Sequence, residues 1–559
     1  MADERIRAAG ALRESFRAPG LSLSKVLKRY VNFASFVVIL ILIATFLPSA
    51  KTNKLVTANT SGITPAPAPG TAGVMANGTM CGPGVPQVTW SKYSPLCEPA
   101  WNPAKDQNGG ATSNGVTATT INLTYREATT SELQLLYGLV HESVIGTNAA
   151  AETTMAAYIK FFNSQFDLYG RKVVLVPFTG QGNFISEDTG GGLTEAKADA
   201  VTAAHTLNAF ADMSLVDASN AYAQDLENQG VISFSIYENP QSYYVQNAPY
   251  AYSPGPNCSE NAMADAAIVA KSVDGLPAIY AGDPSMHSMP GKVGILYQDT
   301  PTATQCAQEM ANDITNVFGA PAPAMQSYAF DLSTFSQESA AMIASMKQKN
   351  VTTVICAGCD PVSPAFLFQA ADQQNYYPEW IYSGLFSEGF TGADGFGTLY
   401  PQDQMIHDIG IGEPMPSNQL QQEAYQVYLK TKAPLSQLLP SYTFAYVSLL
   451  QFFDALQAAG PDLTPATFQQ GMFNTRGDLP DSAAGGNYGG WHFGPNRFDP
   501  AASIGIVYWD PNAKSNLSGT EFYGKKGAFV ACNGGAQYSF TDDFAALPNH
   551  KQLACFGKS

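Results

Sequence analysis

VTTVICAGCDPVSPAFLFQAADQQNYYPEWIYSG, residues 351–384, carries a change of period within a few dozen residues. TTVICAG (352–358) is a short continuous apolar run, the pattern of a strand covered on both faces. Residues 361–373 read as a helix, with Asp360 as its N-cap and Pro361 as its first helical residue. EWIYSG (379–384) is the next strand. Strand, helix and strand in this order make a βαβ unit, and such units build parallel sheets.

The same alternation extends in both directions. Upstream, the strand TINLTYRE (120–127) is followed by a helix over 149–166, the strand RKVVLVPF (171–178) and a helix over 193–210. A third helix ends at Gly230, and VISFSIY (231–237) follows. After YSPGPN (252–257) a second series begins. It has a helix over 259–272, a strand over 292–299, a helix over 303–318, a strand over 325–331 and a helix over 333–349, and then the unit quoted above. Downstream, SYTFAYVSLLQFFDALQAAG (441–460) reads as a core helix stopped by Gly460-Pro461, and a β-rich tail runs to about residue 535. Two βαβα series predict an α/β fold of two doubly wound parallel-sheet lobes with a cleft between them. Ligands of open α/β sheets bind beyond the carboxyl ends of the strands, which places function just after residues 215, 235, 299, 358 and 384.

The chain has 559 residues, of which 45% are apolar and 13% charged, with a net charge of −17. Length and apolar content suit more than one cored domain. An acidic surface repels phosphate backbones, so no nucleic-acid partner is expected. The N-terminus departs from this composition. Arg5, Arg7, Arg13, Arg17, Lys25, Lys28 and Arg29 precede VNFASFVVILILIATFLP (31–48), which has no charge. Eighteen residues at a helical rise span roughly 27 Å, close to the hydrocarbon thickness. The basic excess before the segment predicts a cytoplasmic tail (1–30), a transmembrane signal-anchor (31–48) and an extracytoplasmic remainder at the cell membrane. The alternative is a cleaved signal peptide, for which the basic and apolar regions are both long. Residues 49–117 read as a Pro/Thr/Gly-rich stalk.

All eight cysteines lie beyond that segment: Cys81, Cys97, Cys258, Cys306, Cys356, Cys359, Cys532 and Cys555. An even count in an exported domain predicts disulfides, and eight cysteines allow 105 connectivities. Cys81–Cys97, within the stalk, is the simplest pairing. Cys356-x-x-Cys359 can be a redox pair, half a zinc site or a local staple. A zinc site needs two more ligands, and there is no second C-x-x-C.

The order of elements and six phrases together resemble the substrate-binding proteins of branched-chain amino acid ABC transporters. The phrases are YIKFFNSQFDLYGRKVVLVPF (158–178), LENQGVISFS (226–235), GKVGILYQDTP (291–301), FSQESAAMIASMKQKNVTTVICAGCDP (335–361), FLFQAADQQNYYPEWIYSG (366–384) and AYVSLLQFFDALQAAGPDLTPATFQQGM (445–472). The resemblance implies the type I periplasmic-binding-protein fold, with three hinge crossovers near 253, 411 and 491. Lobe one would be 118–252 with 412–490, and lobe two 253–411 with 491–559. It also implies ligand contacts. Asp217, Ala218 and Ser219 fall in the loop that holds the ligand carboxylate, where backbone N–H groups at a helix start suit an anion. Ser235 and Tyr237 fall in the next loop. In lobe two, Thr302 and then Cys359 or Asp360 stand at two family aromatics, and Phe386 stands near the family acid that holds the ligand ammonium. Cys258, Cys306, Cys356 and Cys359 are expected to form two structural disulfides at the cleft mouth.

No other constellation points to chemistry. The histidines (141, 205, 287, 407, 492, 550) are scattered, and there is no G-x-S-x-G. No metal, cofactor or catalytic residue is expected, and the chain reads as a binder and not an enzyme. The implied function is capture of a small molecule (an amino acid, amide or related compound) and its delivery to ABC permease subunits. The alternative is an extracellular ligand sensor on the same scaffold, acting through a partner protein.

Overall fold

The structure, a computed structural model, describes residues 63–64, 72–74, 80–91, 93–99, 101–188, 190–215, 218–234, 239–331, 333–360, 362–383, 393–412, 422–475, 493–517 and 519–555. The expected transmembrane segment lies outside them. Among the described residues no helix is long and apolar enough to cross a membrane.

The first sheet has five strands: β1 (Thr120–Glu127), β2 (Lys172–Thr179), β3 (Ala211–Asp212), β4 (Ile232–Phe234) and β5 (Ala251–Tyr252). They lie in the order β2-β1-β3-β4-β5, all parallel. The register of the long pair runs from Thr120 beside Lys172 to Glu127 beside Thr179. Ile121, Leu123 and Tyr125 are buried on one face of β1 and Thr124 and Arg126 on the other, as a central strand covered on both faces requires. Helices α1 (Asn148–Phe162), α2 (Leu193–Val201) and α3 (Asn220–Asn228) connect these strands. The helix read over 193–210 is regular only to Val201 and continues as one wider turn over Thr202–Thr206.

The second sheet has seven strands: β6 (Val293–Gln298), β7 (Ala324–Tyr328), β8 (Thr353–Ala357), β9 (Glu379–Ser383), β10 (Asp408–Ile411), β11 (Ile506–Lys514) and β12 (Lys526–Ala531). Its parallel part, β7-β6-β8-β9-β10, repeats the order of the first sheet, and β11 and β12 extend it antiparallel. Helices α4 (Cys258–Ile268), α5 (Pro301–Asn312), α6 (Phe335–Gln348) and α7 (Ser363–Gln373) cover it. The chain then returns to the first sheet's core with α8 (Glu423–Thr431), α9 (Tyr442–Ala459) and α10 (Pro465–Asn474). Residues 442–457 of α9 are all buried. A helix apolar on every side belongs in a core, and α9 packs against α1 and α10. The contacts include Phe453 on Phe162 and Tyr446 on Tyr158, each with ring centroids 5.2 Å apart.

Among the described residues the chain changes from one core to the other three times: between Tyr252 and Cys258, between Ile411 and Glu423, and between Phe498 and Ser503. Two of these passages are tied side by side, with the Ser253 N–H donating to the Phe498 carbonyl at 2.9 Å. Four disulfides pair all eight cysteines: Cys81–Cys97, Cys258–Cys306, Cys356–Cys359 and Cys532–Cys555. The first staples a segment that wraps lobe one near the start of β2, where the Trp101 N–H bonds the Asp167 carboxylate at 2.8 Å and Trp90 stacks on Phe162.

Candidate functional site

In a sheet of this order, the crevice opens where the connections leave in opposite directions, beyond the carboxyl ends of the first and third strands. In lobe one those ends are β1 and β3, and in lobe two β6 and β8. The two edges meet. At the end of β6 the Gln298 amide lies 3.5 Å from the Asp360 carboxylate, which follows β8. The same amide hydrogen-bonds Asp188, which follows β2 in lobe one. Burial, and then the Asp360 charge, push the Asp188 carboxyl up from its ordinary 3.8 to about 7, against the Gln298 bond. Asp360 is also raised by burial, although hydrogen bonds from Ser363 and from backbone N–H groups oppose the shift.

Behind the lobe-one edge lies a buried charge network. The Arg126 guanidinium makes two 3.0 Å bonds to Glu187 and one of 3.2 Å to Asp199. It sits 4.0 Å above the Tyr222 ring. Arg126 and Glu187 side chains are fully buried. Two charges taken out of water persist only when their hydrogen bonds are satisfied, and removing one partner of such a pair typically costs about 3–5 kcal/mol. The Tyr222 hydroxyl passes the network on to Asp212, at 3.0 Å.

Ser219 belongs to this network. Its hydroxyl donates to Glu187 and accepts from the Tyr222 N–H at 3.0 Å, capping α3. Its hydroxyl proton is therefore engaged inside lobe one. Ala218 beside it is buried. Asp217, Ser235, Tyr237 and Phe386 lie outside the described residues. Thr302 is the second residue of α5 and is half-buried, and Thr300 caps that helix. Cys359 is buried in its disulfide, 3.4 Å from the Tyr328 hydroxyl. Asp360 accepts from the Val362 N–H at 2.7 Å and the Ser363 N–H at 3.0 Å. Helix α7 thus starts at Ser363, two residues later than the sequence reading placed it. The Asp360 side chain closes a turn over Val362 before the helix begins, and Pro364 takes the first-turn position.

Ser219 and Asp360 thus stand at the edges of the two lobes, and sequence reasoning missed Arg126 and Glu187, behind the lobe-one edge, and Asp188 and Gln298, where the edges meet. Arg126 left a trace: a charge near the end of a strand read as buried on both faces. Among the described residues no group of three His, Cys, Asp or Glu side chains is arranged to hold a metal ion.

No protein-family model and no curated protein matches the chain. Solved structures match in fold. The closed form of a leucine-, isoleucine-, valine-, threonine- and alanine-binding protein from Brucella ovis is 14% identical, with a TM-score of 0.51, over 78% of this chain and 98% of that one. A possible leucine/isoleucine/valine-binding protein from Rhodopirellula baltica is 12% identical, with a TM-score of 0.49, over 70% and 94%. An ABC-transporter solute-binding protein from R. palustris, in complex with 4-hydroxybenzoate, is 12% identical, with a TM-score of 0.48, over 74% and 97%.

Proposed function

We propose that this chain, which has the type I periplasmic-binding-protein fold, captures a small solute between its two lobes and delivers it, chemically unchanged, to an ABC-type permease. The observation that carries this reading is the meeting of the lobes' carboxyl edges, where Asp188, beyond β2, meets Gln298 and Asp360, beyond β6 and β8. The solute is an amino acid, an amide or a related compound, the class to which the ligands in the name of the Brucella ovis protein belong. Backbone N–H groups at the start of α3 supply fixed donors in place of its water.

The protein works outside the cytoplasm, tethered through residues 31–48. That placement is supported by the uncharged run and its basic flank. It is also supported by four disulfides, which persist in oxidising compartments.

A thermal-shift screen of the full chain tests the binding role. Amino acids, amides, polyamines and aromatic acids are the compounds to assay. A ligand at a hundred times its Kd stabilises by about 2.7 kcal/mol, so one class raises the melting midpoint in a concentration-dependent way. A flat response to all four classes contradicts the reading.

A further inference from the structure

Between β1 and α1 the chain makes an excursion, residues 128–147, on the cleft side of lobe one. Its base is closed by the Asn148 amide donating to the Ala128 carbonyl at 2.8 Å. A helix over Thr130–Val140, capped by Thr129 and Glu132, leads to a short turn of helix over Glu142–Ile145. The Tyr137 hydroxyl holds the Gly146 carbonyl at 2.9 Å. Gly146, at φ +83°, lies against Leu439 and Pro440 of lobe one, where a Cβ would come within 2.8 Å of both. The excursion is therefore anchored to lobe one at both ends.

Its tip belongs to the other lobe. Val144 is 3% exposed and lies in the apolar core of lobe two, the cluster that includes Phe396 and Phe522, and Ile145 packs against the same cluster. The turn packs on the helix Ala393–Leu399. Asp394 of that helix is tied to the β11–β12 hairpin by Ser515 and by the Phe529 N–H. Beside the tip, the Ser143 hydroxyl bonds Glu521 in the turn of that hairpin. This contact adjoins one that the same hairpin makes on lobe one. The hairpin's own brace on lobe one, Gln422 to the Asn516 carbonyl with Gly519 against Leu438 and Tyr425, sits where the second passage ends.

We propose that residues 128–147 are a latch carried by lobe one, whose Val144–Ile145 tip seats in an apolar socket of lobe two and holds the lobes together without help from a ligand. Opening the cleft unseats Val144 into water and bares the socket beside Phe396 and Phe522. Exit of any bound molecule then waits on the latch. This inference goes beyond the solute-binding reading and does not depend on it, because the latch acts in the ligand-free chain.

Hydrogen exchange of the ligand-free full chain, read by peptide mass, tests it. Local openings expose amides at lower free energy than global unfolding does. In the wild type, the amides of 142–145 and 393–399 are expected to exchange together, at least tenfold faster than those of Val354 and Ile355 in β8. Val144→Asp is expected to speed exchange of 393–399 a further tenfold or more while β8 stays unchanged. Exchange of 142–145 and 393–399 only at the β8 rate overturns the latch, because Val144 is then ordinary static core. No acceleration of 393–399 in the variant also overturns it. Should Val144→Asp fail to fold, Glu521→Gln, on the exposed side of the tip, must give a smaller acceleration of the same two segments. An unchanged pattern in that variant overturns the proposal.

Discussion

Arg126 carries a charge to a place that water does not reach, and it is tolerable there because three neighbours answer it: Glu187, Asp199 and the face of Tyr222. The cluster fixes Ser219 through Glu187, and so shapes the lobe-one edge. Its partners could not be read from the sequence, because Glu187 and Asp199 lie 61 and 73 residues from Arg126. No local rule links positions so far apart. Asp188 gives this scale its prediction. Its carboxyl rises to about 7 when it is buried against Gln298 and near Asp360, whereas the exposed group titrates near 3.8. Gln298, Asp360 and Tyr328 of lobe two face it. A carboxyl whose pKa is raised in the folded, closed form contributes stability that is fully present below pH 3.8 and is lost as pH rises to about 7. Glu379, Glu98 and Glu227 shift in the same direction, so the readout is a difference between two proteins. The wild type should lose unfolding free energy relative to Asp188→Asn between pH 4 and 7. A difference constant across that window contradicts the placement of Asp188.

Individual elements divide into those written locally and those decided by distant partners. The opening βαβ unit and the buried α9 follow from period and apolar runs, and each stands within a few residues of its sequence reading, whereas Asp360, read as a cap, closes a turn ahead of α7. The excursion 128–147 was passed over although its helix was legible: Thr129 and Glu132 have capping-box spacing, and Leu133, Leu135, Leu136, Tyr137, Leu139 and Val140 make 130–140 apolar. What the sequence could not show is where the tip residues Val144 and Ile145 go. Their partner is a helix some 250 residues downstream. The antiparallel addition of β11 and β12 was equally hidden: a β-rich tail does not name the strand it joins. Disulfides supply the test at this scale. Cys258–Cys306 joins the first residue of α4 to α5 across 48 residues, while Cys356–Cys359 spans three. By the chain-entropy relation the longer loop contributes about 4 kcal/mol and the shorter about 2 kcal/mol. Denaturant unfolding of the Cys258→Ala/Cys306→Ala chain should show close to twice the loss seen for Cys356→Ala/Cys359→Ala. Equal losses contradict this ranking of the two bridges.

At the scale of the whole molecule, two sheets of one strand order point their carboxyl edges at each other, and among the described residues the chain changes from one core to the other three times. This architecture was legible from the alternation of strands and helices and from the family resemblance. The site was legible only as an address. Of the expected segments, those after 299 and 358 follow strands whose carboxyl ends lie at the facing edges, and those directly after 235 and 384 lie outside the described residues; which side chains face the solute depends on how the lobes come together, and that is set by packing across the whole chain. The Gln298 amide, placed between carboxylates of different lobes, shows how closely the edges approach. The most direct measurement is a crystal structure of the full chain with whichever compound stabilises it most in the thermal screen. The account predicts density for that compound between the lobes, within hydrogen-bonding reach of the segments that follow β3 and β8. Density on an outer face, or touching one lobe only, contradicts it.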